Sequence, residues 1–329
     1  MKPKLTILTD PVPAGVHALQ EYGYRVARRV KRLISRRLHT HHPKYGGHTG
    51  VTRSVVEGMA KIGANFNYNP SNENDLADIV HVVGGVRALR QMIRFKQQGR
   101  IKKLFAGPNI VVLSTDMDSI LASPAIDGVI NHCDFACELW AADHPQLLSK
   151  CFRWPAGVDT KYWQPDPARA RNRILIFDKR NEDDDPGRVI PYVEHLRSMG
   201  WQVDVLVRCG VKGYTHEQYR MLLQNSCLML GFTIGSESQG IAWAEAWSCD
   251  VPTLILRNSL NTYKERAFEC STAPFLTDAT GLFFDDLNHF KTQFNFWQTN
   301  REQFYPRAWV LENMSDEVSA RLLYRHLTG

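Results

Sequence analysis

Two glutamates, Glu237 and Glu245, stand with seven residues between them in the stretch SESQGIAWAEAWSCDVPTLIL, residues 236–256. Gly240 falls between them, and a Cys-Asp-Val-Pro turn leads on into an apolar run. The preceding CLMLGF has the composition of a buried strand, and IAWAEAWS reads as a helix that opens at Gly240. The first N–H groups of such a helix have no internal partners and point beyond the end of the strand, an arrangement that attracts phosphate. Gly240 lets a ligand come close to the backbone. A carboxylate beside a phosphate needs a different partner, and the vicinal diol of a ribose offers two hydroxyl donors. Hydrogen bonds to a charged acceptor contribute roughly 1.5–3 kcal/mol each. The plainer alternative is that both glutamates cap the helix and complement its dipole. That suits Glu237, in the loop, better than Glu245, in the second turn. Trp243 and Trp247, four apart, read as core packing rather than a stacking platform.

The elements that must position these residues alternate short apolar runs with helical patterns, as in parallel α/β layers. LTIL (5–8), NFNYN and DIVHVVGG read as strands, and TRSVVEGMAKIG as a helix capped by Thr49 or Thr52 and stopped by Gly63. VRALRQMIRFKQQ is a helix. KLFAG and NIVVLS are strand-like around a Gly-Pro break, DGVINH is a strand and FACELWAADHP a helix. Prolines 155, 165 and 167 and the charged PDPARARNR mark a linker. A second series follows: strand RILIF, helix VIPYVEHLRSMG, strand WQVDVLV, helix THEQYRMLLQNS capped by Thr215, then the opening stretch. Each half is a doubly wound unit of roughly 150 residues, in which ligands sit beyond the carboxyl ends of the strands.

The bulk numbers agree with a globular protein: 329 residues, 43% hydrophobic and 22% charged. There is no apolar run long enough to cross a membrane, and the N-terminus is too short in apolar core for a secretory signal. Seven scattered cysteines predict reduced thiols in a cytoplasmic protein. The net charge is +6, yet residues 1–62 hold twelve Lys/Arg against three Asp/Glu, a balance of +9 that leaves −3 for the rest. Much of the excess lies in YRVARRVKRLISRRLHTHH, where Arg25, Arg28, Arg29, Arg32 and Arg36 accompany one apolar helical stripe. A basic amphipathic helix suits an anionic membrane surface or a polyanion, or is a solvated face. Nucleic acid is not expected, because no aromatic residues interleave at a reading surface.

Three segments, in order along nearly the whole chain, resemble the retaining glycosyltransferases of the GT-B fold, the family 4-like group. Glu237 to Glu245-Ala, followed by Ser-Cys-Asp-Val-Pro252, is similar to that family's E-x(7)-E and G-x-P. PAGVDTKYWQP (155–165) is similar to the opening of its nucleotide domain, and GGHTGVTRSVVEGMAKIGANF (46–66) to its glycine-rich loop and following helix. The resemblance implies two doubly wound Rossmann-like domains facing a central cleft: an acceptor domain over 1–157, a nucleotide-sugar domain over 158–308, and a helix over 309–329 that crosses back. It implies that Glu245 holds the ribose hydroxyls. Glu237 lies near the transferred sugar, with Ser238, Gln239 and Gly240 offering amides or hydroxyls to sugar and diphosphate. Lys179 and Arg180 neutralise the leaving diphosphate. The family's later lysine is missing, and Arg188 or Lys212 stands in. Gly46 and Gly47 approach the donor from the acceptor domain.

Where the family often carries a histidine, this chain has Ser114-Thr115-Asp116, so Asp116 is the candidate to orient the acceptor hydroxyl or accept its proton. His81 is a weaker candidate, and His132 reads as a satisfied half-buried histidine. His39, His41, His42 and His48 are irregularly spaced without an acidic partner, which suits contact with an anionic acceptor or a solvated loop better than a metal. Asp116-Met-Asp118 also fits the D-x-D of the metal-dependent glycosyltransferase fold, which leaves the other segments unexplained. The expected activity is transfer of a sugar from a nucleotide-diphosphate sugar to a glycan or lipid-linked acceptor of lipopolysaccharide type. Retention of configuration and independence of metal or other cofactor are expected, at the inner face of the membrane. The alternatives are a nucleotide-sugar epimerase or phosphorylase of the same fold, or a non-catalytic sugar- or polyanion-binding scaffold.

Overall fold

In a computed structural model of the chain, the described residues are 3–13, 23, 26, 27, 47–209, 213–233 and 235–329. Arg25, Arg28, Arg29, Arg32 and Arg36 of the basic stretch, Gly46, His39, His41, His42 and Lys212 lie outside them. The chain divides into two compact units, with His48–Gly157 and Ser319–Gly329 in the first and Val158–Val318 in the second.

The first unit is built on a parallel sheet. Its strands are β1 (Leu5–Leu8), β2 (Phe66–Tyr68), β3 (Ile79–Gly84), β4 (Lys103–Asn109), β5 (Gly128–Asn131) and β6 (Cys151–Arg153), in the order β2-β1-β3-β4-β5-β6. Helices α1 (Gly47–Lys61), α2 (Val86–Gln97), α3 (Asp134–Ala141) and α4 (Gln146–Lys150) connect them. Helix α2 lays Ala88, Leu89, Met92 and Phe95 on the sheet residues Val80, Val82, Leu104 and Ala106. The helical and strand periods of the sequence thus meet in one core.

Three expectations are corrected here. Helix α1 begins at Gly47, so Thr52 is inside it and donates its hydroxyl to His48 O at 3.1 Å instead of capping. The stop holds, since Gly63 takes a positive φ of 66°. NIVVLS is not a strand beyond Asn109: Asp116 N–H bonds Leu113 O and Leu113 N–H bonds the Asp116 carboxylate, both at 3.0 Å, so the chain turns. Val112 is left exposed there, and its carbonyl takes the Trp140 indole N–H rather than a ladder bond. Finally, Cys137 on α3 and Cys151 on β6 form a disulfide with Cα atoms 6.0 Å apart, against the expectation of reduced thiols throughout. Packing of α3 beside β6 brings them together, which no spacing rule in the sequence announces.

The second unit carries the parallel strands β7 (Arg173–Arg180), β8 (Gln202–Cys209), β9 (Ser226–Phe232) and β10 (Thr253–Leu256), a separate antiparallel hairpin of β11 (Leu260–Tyr263) and β12 (Arg266–Glu269), and β13 (Gly281–Phe284). The parallel order is β13-β10-β9-β7-β8. Its helices are α5 (Ile190–Ser198), α6 (His216–Gln224), α7 (Ile241–Ser248), α8 (Leu287–Thr299), α9 (Pro306–Asn313) and the start of α10 (Asp316–Thr328), whose residues from Ser319 on count with the first unit. Strand β7 is apolar on both faces because both are covered. Leu175 and Phe177 face a core with Tyr219, Trp243 and Trp247, while Ile174 and Ile176 face one with Leu196, Phe290 and Phe294. Thr215 caps α6 as its sequence suggests, accepting from Gln218 N–H at 3.0 Å.

Candidate functional site

From β7 the chain runs to β8 on one side of the sheet and then to β9 on the other, so the carboxyl ends of β7 and β9 flank the switch point. Doubly wound sheets bind ligands there. Asp178 pairs with Phe232 in the β7–β9 ladder, which sets Lys179 opposite Thr233 and the loop that follows. Lys179 and Arg180 are thus the last residues of β7, not part of a loop.

The ammonium of Lys179 forms an ion pair with the carboxylate of Glu237, which also accepts the Thr233 hydroxyl at 3.1 Å. Both charged side chains are mostly covered, 27% exposed for Lys179 and 18% for Glu237. The carboxylate therefore turns to Lys179 rather than to the helix, and no side chain caps α7. The backbone N–H of Glu237 is held by Ser271 O at 2.9 Å. Ser238 is half-buried, and Gln239 and Gly240 are buried at the entry to α7.

Glu245 lies in the second turn of α7 and is only 8% exposed. Tyr214 and Tyr219 feel it: burial first, then neighbouring groups that include the Glu245 carboxylate, push both phenols up. The Cys249 thiol is pushed up to about 12 by burial and then by Glu245. A carboxylate buried this deeply is not a solvated cap of α7.

Asp178 is fully buried. Arg188 bonds one of its oxygens through Nε at 2.9 Å and Nη2 at 2.5 Å, and gives a further bond to Lys179 O at 2.8 Å. Arg188 is therefore built into the end of β7. Arg180 Nη1 stands 3.6 Å from the other Asp178 oxygen, and neither atom has a hydrogen bond among the described residues.

Gly47 is the exposed first residue of α1, and in the first unit His48 Nδ1 meets Asn109 Oδ1 at 2.8 Å. Asp116 is half-buried and engaged by Leu113 N–H, as described above. His81 is fully buried with Nε2 2.8 Å from Gly107 O, and burial above all lowers its pKa to about 4. His132, fully rather than half buried, has Nδ1 3.0 Å from Trp154 O, and burial likewise lowers its pKa to about 4. Among the described residues, no helix is long and apolar enough to cross a membrane.

Solved structures resemble the whole chain. HepE from Anabaena, in complex with UDP, matches at TM-score 0.56 and 9% identity, covering 99% of each chain. The lipopolysaccharide outer core galactosyltransferase WaaB, in its apo form, matches at 0.57 and 11%, covering 98% of each. A glycosyltransferase from Rickettsia africae matches at 0.56 and 11%, again covering 98% of each. No protein-family model matches the sequence, and no curated protein matches it either. The fold is the GT-B architecture, with two Rossmann-like units in one chain.

Within this GT-B fold, Gly240 has a structural reason beyond ligand approach. Its φ is +61°, and a Cβ there would lie 2.5 Å from Trp243 Cδ1. Trp243 is in turn fixed by its indole N–H on Thr272 O at 2.8 Å. Gly240→Ala is expected to cost about 2 kcal/mol from left-handed backbone and crowding. Differential scanning calorimetry should show a fall of roughly 4–8 °C in the midpoint. The residues missed in the sequence are Tyr214, Tyr219 and Asp178. The one available signal was Asp178 itself, a lone acid closing the apolar run RILIF.

Proposed function

We propose that the chain is a glycosyltransferase that moves a sugar from a uridine-diphosphate sugar to a glycan or lipid-linked acceptor. The observation that carries this reading is the grouping at the switch point of the second sheet: the Lys179–Glu237 pair, the entry of α7 at Gly240 and the buried Glu245 beyond it. The diphosphate lies against the N–H groups of the α7 entry, where the helix dipole favours negative charge. Lys179 faces the same charge and stabilises it as the glycosidic bond breaks. Glu245 takes the ribose hydroxyls and Glu237 sits beside the transferred sugar. The complex of HepE with UDP supports a uridine nucleotide for this fold. With amides and cations cradling the diphosphate, the reaction needs no metal; retention of configuration is taken from the resemblance to the retaining group alone. The acceptor is recognised by the first unit, with Asp116 as its candidate polar contact, and the basic stretch at 25–36 attaches the enzyme to an anionic surface.

Titration calorimetry with UDP, GDP, ADP and dTDP tests the reading, with UDP expected to bind best and no nucleotide binding as the outcome that ends it. Glu245→Ala is expected to weaken UDP binding about tenfold or more, from loss of roughly 1.5–3 kcal/mol. An unchanged constant would remove Glu245 from the ribose. Turnover should survive EDTA, and NMR of the product should give the donor's own anomeric configuration.

A further inference from the structure

The loop that carries Glu237 is clamped from one side by the hairpin β11–β12, a segment to which the donor-site reading assigns no part. Asn261, at the start of that hairpin, donates from Nδ2 to Ser236 Oγ at 3.1 Å, while its Oδ1 accepts Thr262 N–H at 2.9 Å. Both ends of the amide are used, so its orientation is fixed. Gly235 has a φ of +64°, and a Cβ there would lie 2.6 Å from Asn261 Nδ2, so the loop passes the amide at close range. Beyond the hairpin, Ser271 O receives the Glu237 N–H at 2.9 Å. The base is closed independently of the tip, because Cys270 N–H bonds Ser259 O at 3.0 Å.

We infer that Asn261 and its hairpin form a positioning element that fixes the Glu237 end of the donor loop and thereby sets which sugar the site accepts. This rests on the proposed donor site. The hairpin's contacts fall on Gly235 and Ser236, directly before Glu237 and on the sugar side of that site. The two amide bonds of Asn261 go to Ser236 and Thr262, not to Glu245 on the ribose side. An element acting this way should change discrimination among sugars and leave the nucleotide alone. Displacing a catalytic or orienting group by about 1 Å costs as much as 100-fold, so a small shift of the loop is enough.

The test measures affinities for UDP, UDP-glucose, UDP-galactose, UDP-N-acetylglucosamine and UDP-glucuronate by calorimetry. It compares the intact protein with Asn261→Ala, Ser236→Ala and the double variant. A further variant replaces Leu260–Glu269 by Asn-Gly, keeping the Ser259–Cys270 closure. Hydrogen exchange over residues 233–240 is followed in each. Asn261→Ala is expected to cut the ratio between the best and the next UDP-sugar by about tenfold. UDP itself should stay within about twofold, and amide exchange at the loop should rise. Ser236→Ala should do the same, and the double variant no more, because both remove one interaction. Equal losses for UDP and every UDP-sugar would show a merely structural role and overturn the inference. So would an unchanged ratio in a protein that binds UDP-sugars. If the intact protein binds neither UDP nor any UDP-sugar, the donor site itself is wrong and the inference falls with it.

Discussion

Lys179→Ala is expected to lower sugar transfer from a UDP-sugar by about two orders of magnitude. Lys179 ends β7 and meets Glu237 across the switch point, with both side chains mostly out of water. Truncating one partner of such a pair strands the other charge, at a cost of roughly 2–5 kcal/mol. In the proposed reaction the stranded carboxylate would also face a diphosphate whose negative charge grows in the transition state. Two effects of one sign therefore add in the single variant. Glu237→Gln alone should also lower turnover by at least tenfold, by removing the charge beside the sugar. The double variant separates a working pair from two independent residues. If the pair acts as a unit, Lys179→Ala with Glu237→Gln loses little more than Lys179→Ala alone. Multiplicative losses would show that each residue acts by itself. A fall in melting temperature with kcat unchanged would reduce the pair to a structural contact.

Much of this site could be read from residue order, and the reason is local. A strand, a loop and a helix opening at Gly240 follow one another directly, so the periodicities of CLMLGF and IAWAEAWS fix where Glu237 and Glu245 stand. The same holds for α6, whose Thr215 cap is a signal within four residues. What stayed hidden depends on partners distant in the chain. Asp178 and Arg188 meet only when the connection from β7 to α5 closes on itself, and the Tyr214 phenol feels the Glu245 carboxylate only in the packed core. The hairpin escaped for a different reason. Its two turn residues, Lys264 and Glu265, take positive φ values of 48° and 64°, a conformation that Asn-Gly or Asp-Gly would announce. The disulfide is hidden in the same way, since Cys137 and Cys151 are 14 residues apart and are joined by the packing of α3 on the sheet edge.

Acid should unfold the first unit well before its carboxylates are all protonated. His81 and His132 are buried as neutral rings, each with one nitrogen on a backbone carbonyl, Gly107 O for His81 and Trp154 O for His132. Burial dominates both shifts; the charges that add to it are His326 for His81 and His48 for His132, each of which disfavours a second positive charge. The two rings take up protons only near pH 4, against 6.5 for the free side chain. Above about pH 6.5 both are neutral whether the chain is folded or not, and they contribute no pH dependence. Below it the unfolded chain binds protons that the folded one refuses, so stability falls as pH drops toward about 4. With one pKa unit equal to about 1.4 kcal/mol, each histidine should remove about 2 kcal/mol by pH 5 and about 3 kcal/mol in full. Urea unfolding at pH 7 and pH 5 measures this directly. His81→Gln and His132→Asn, which keep an amide donor at the ring nitrogen that meets each carbonyl, should each flatten the slope by about 2 kcal/mol over that interval. Equal slopes in the variants and the intact protein would place the acid sensitivity elsewhere.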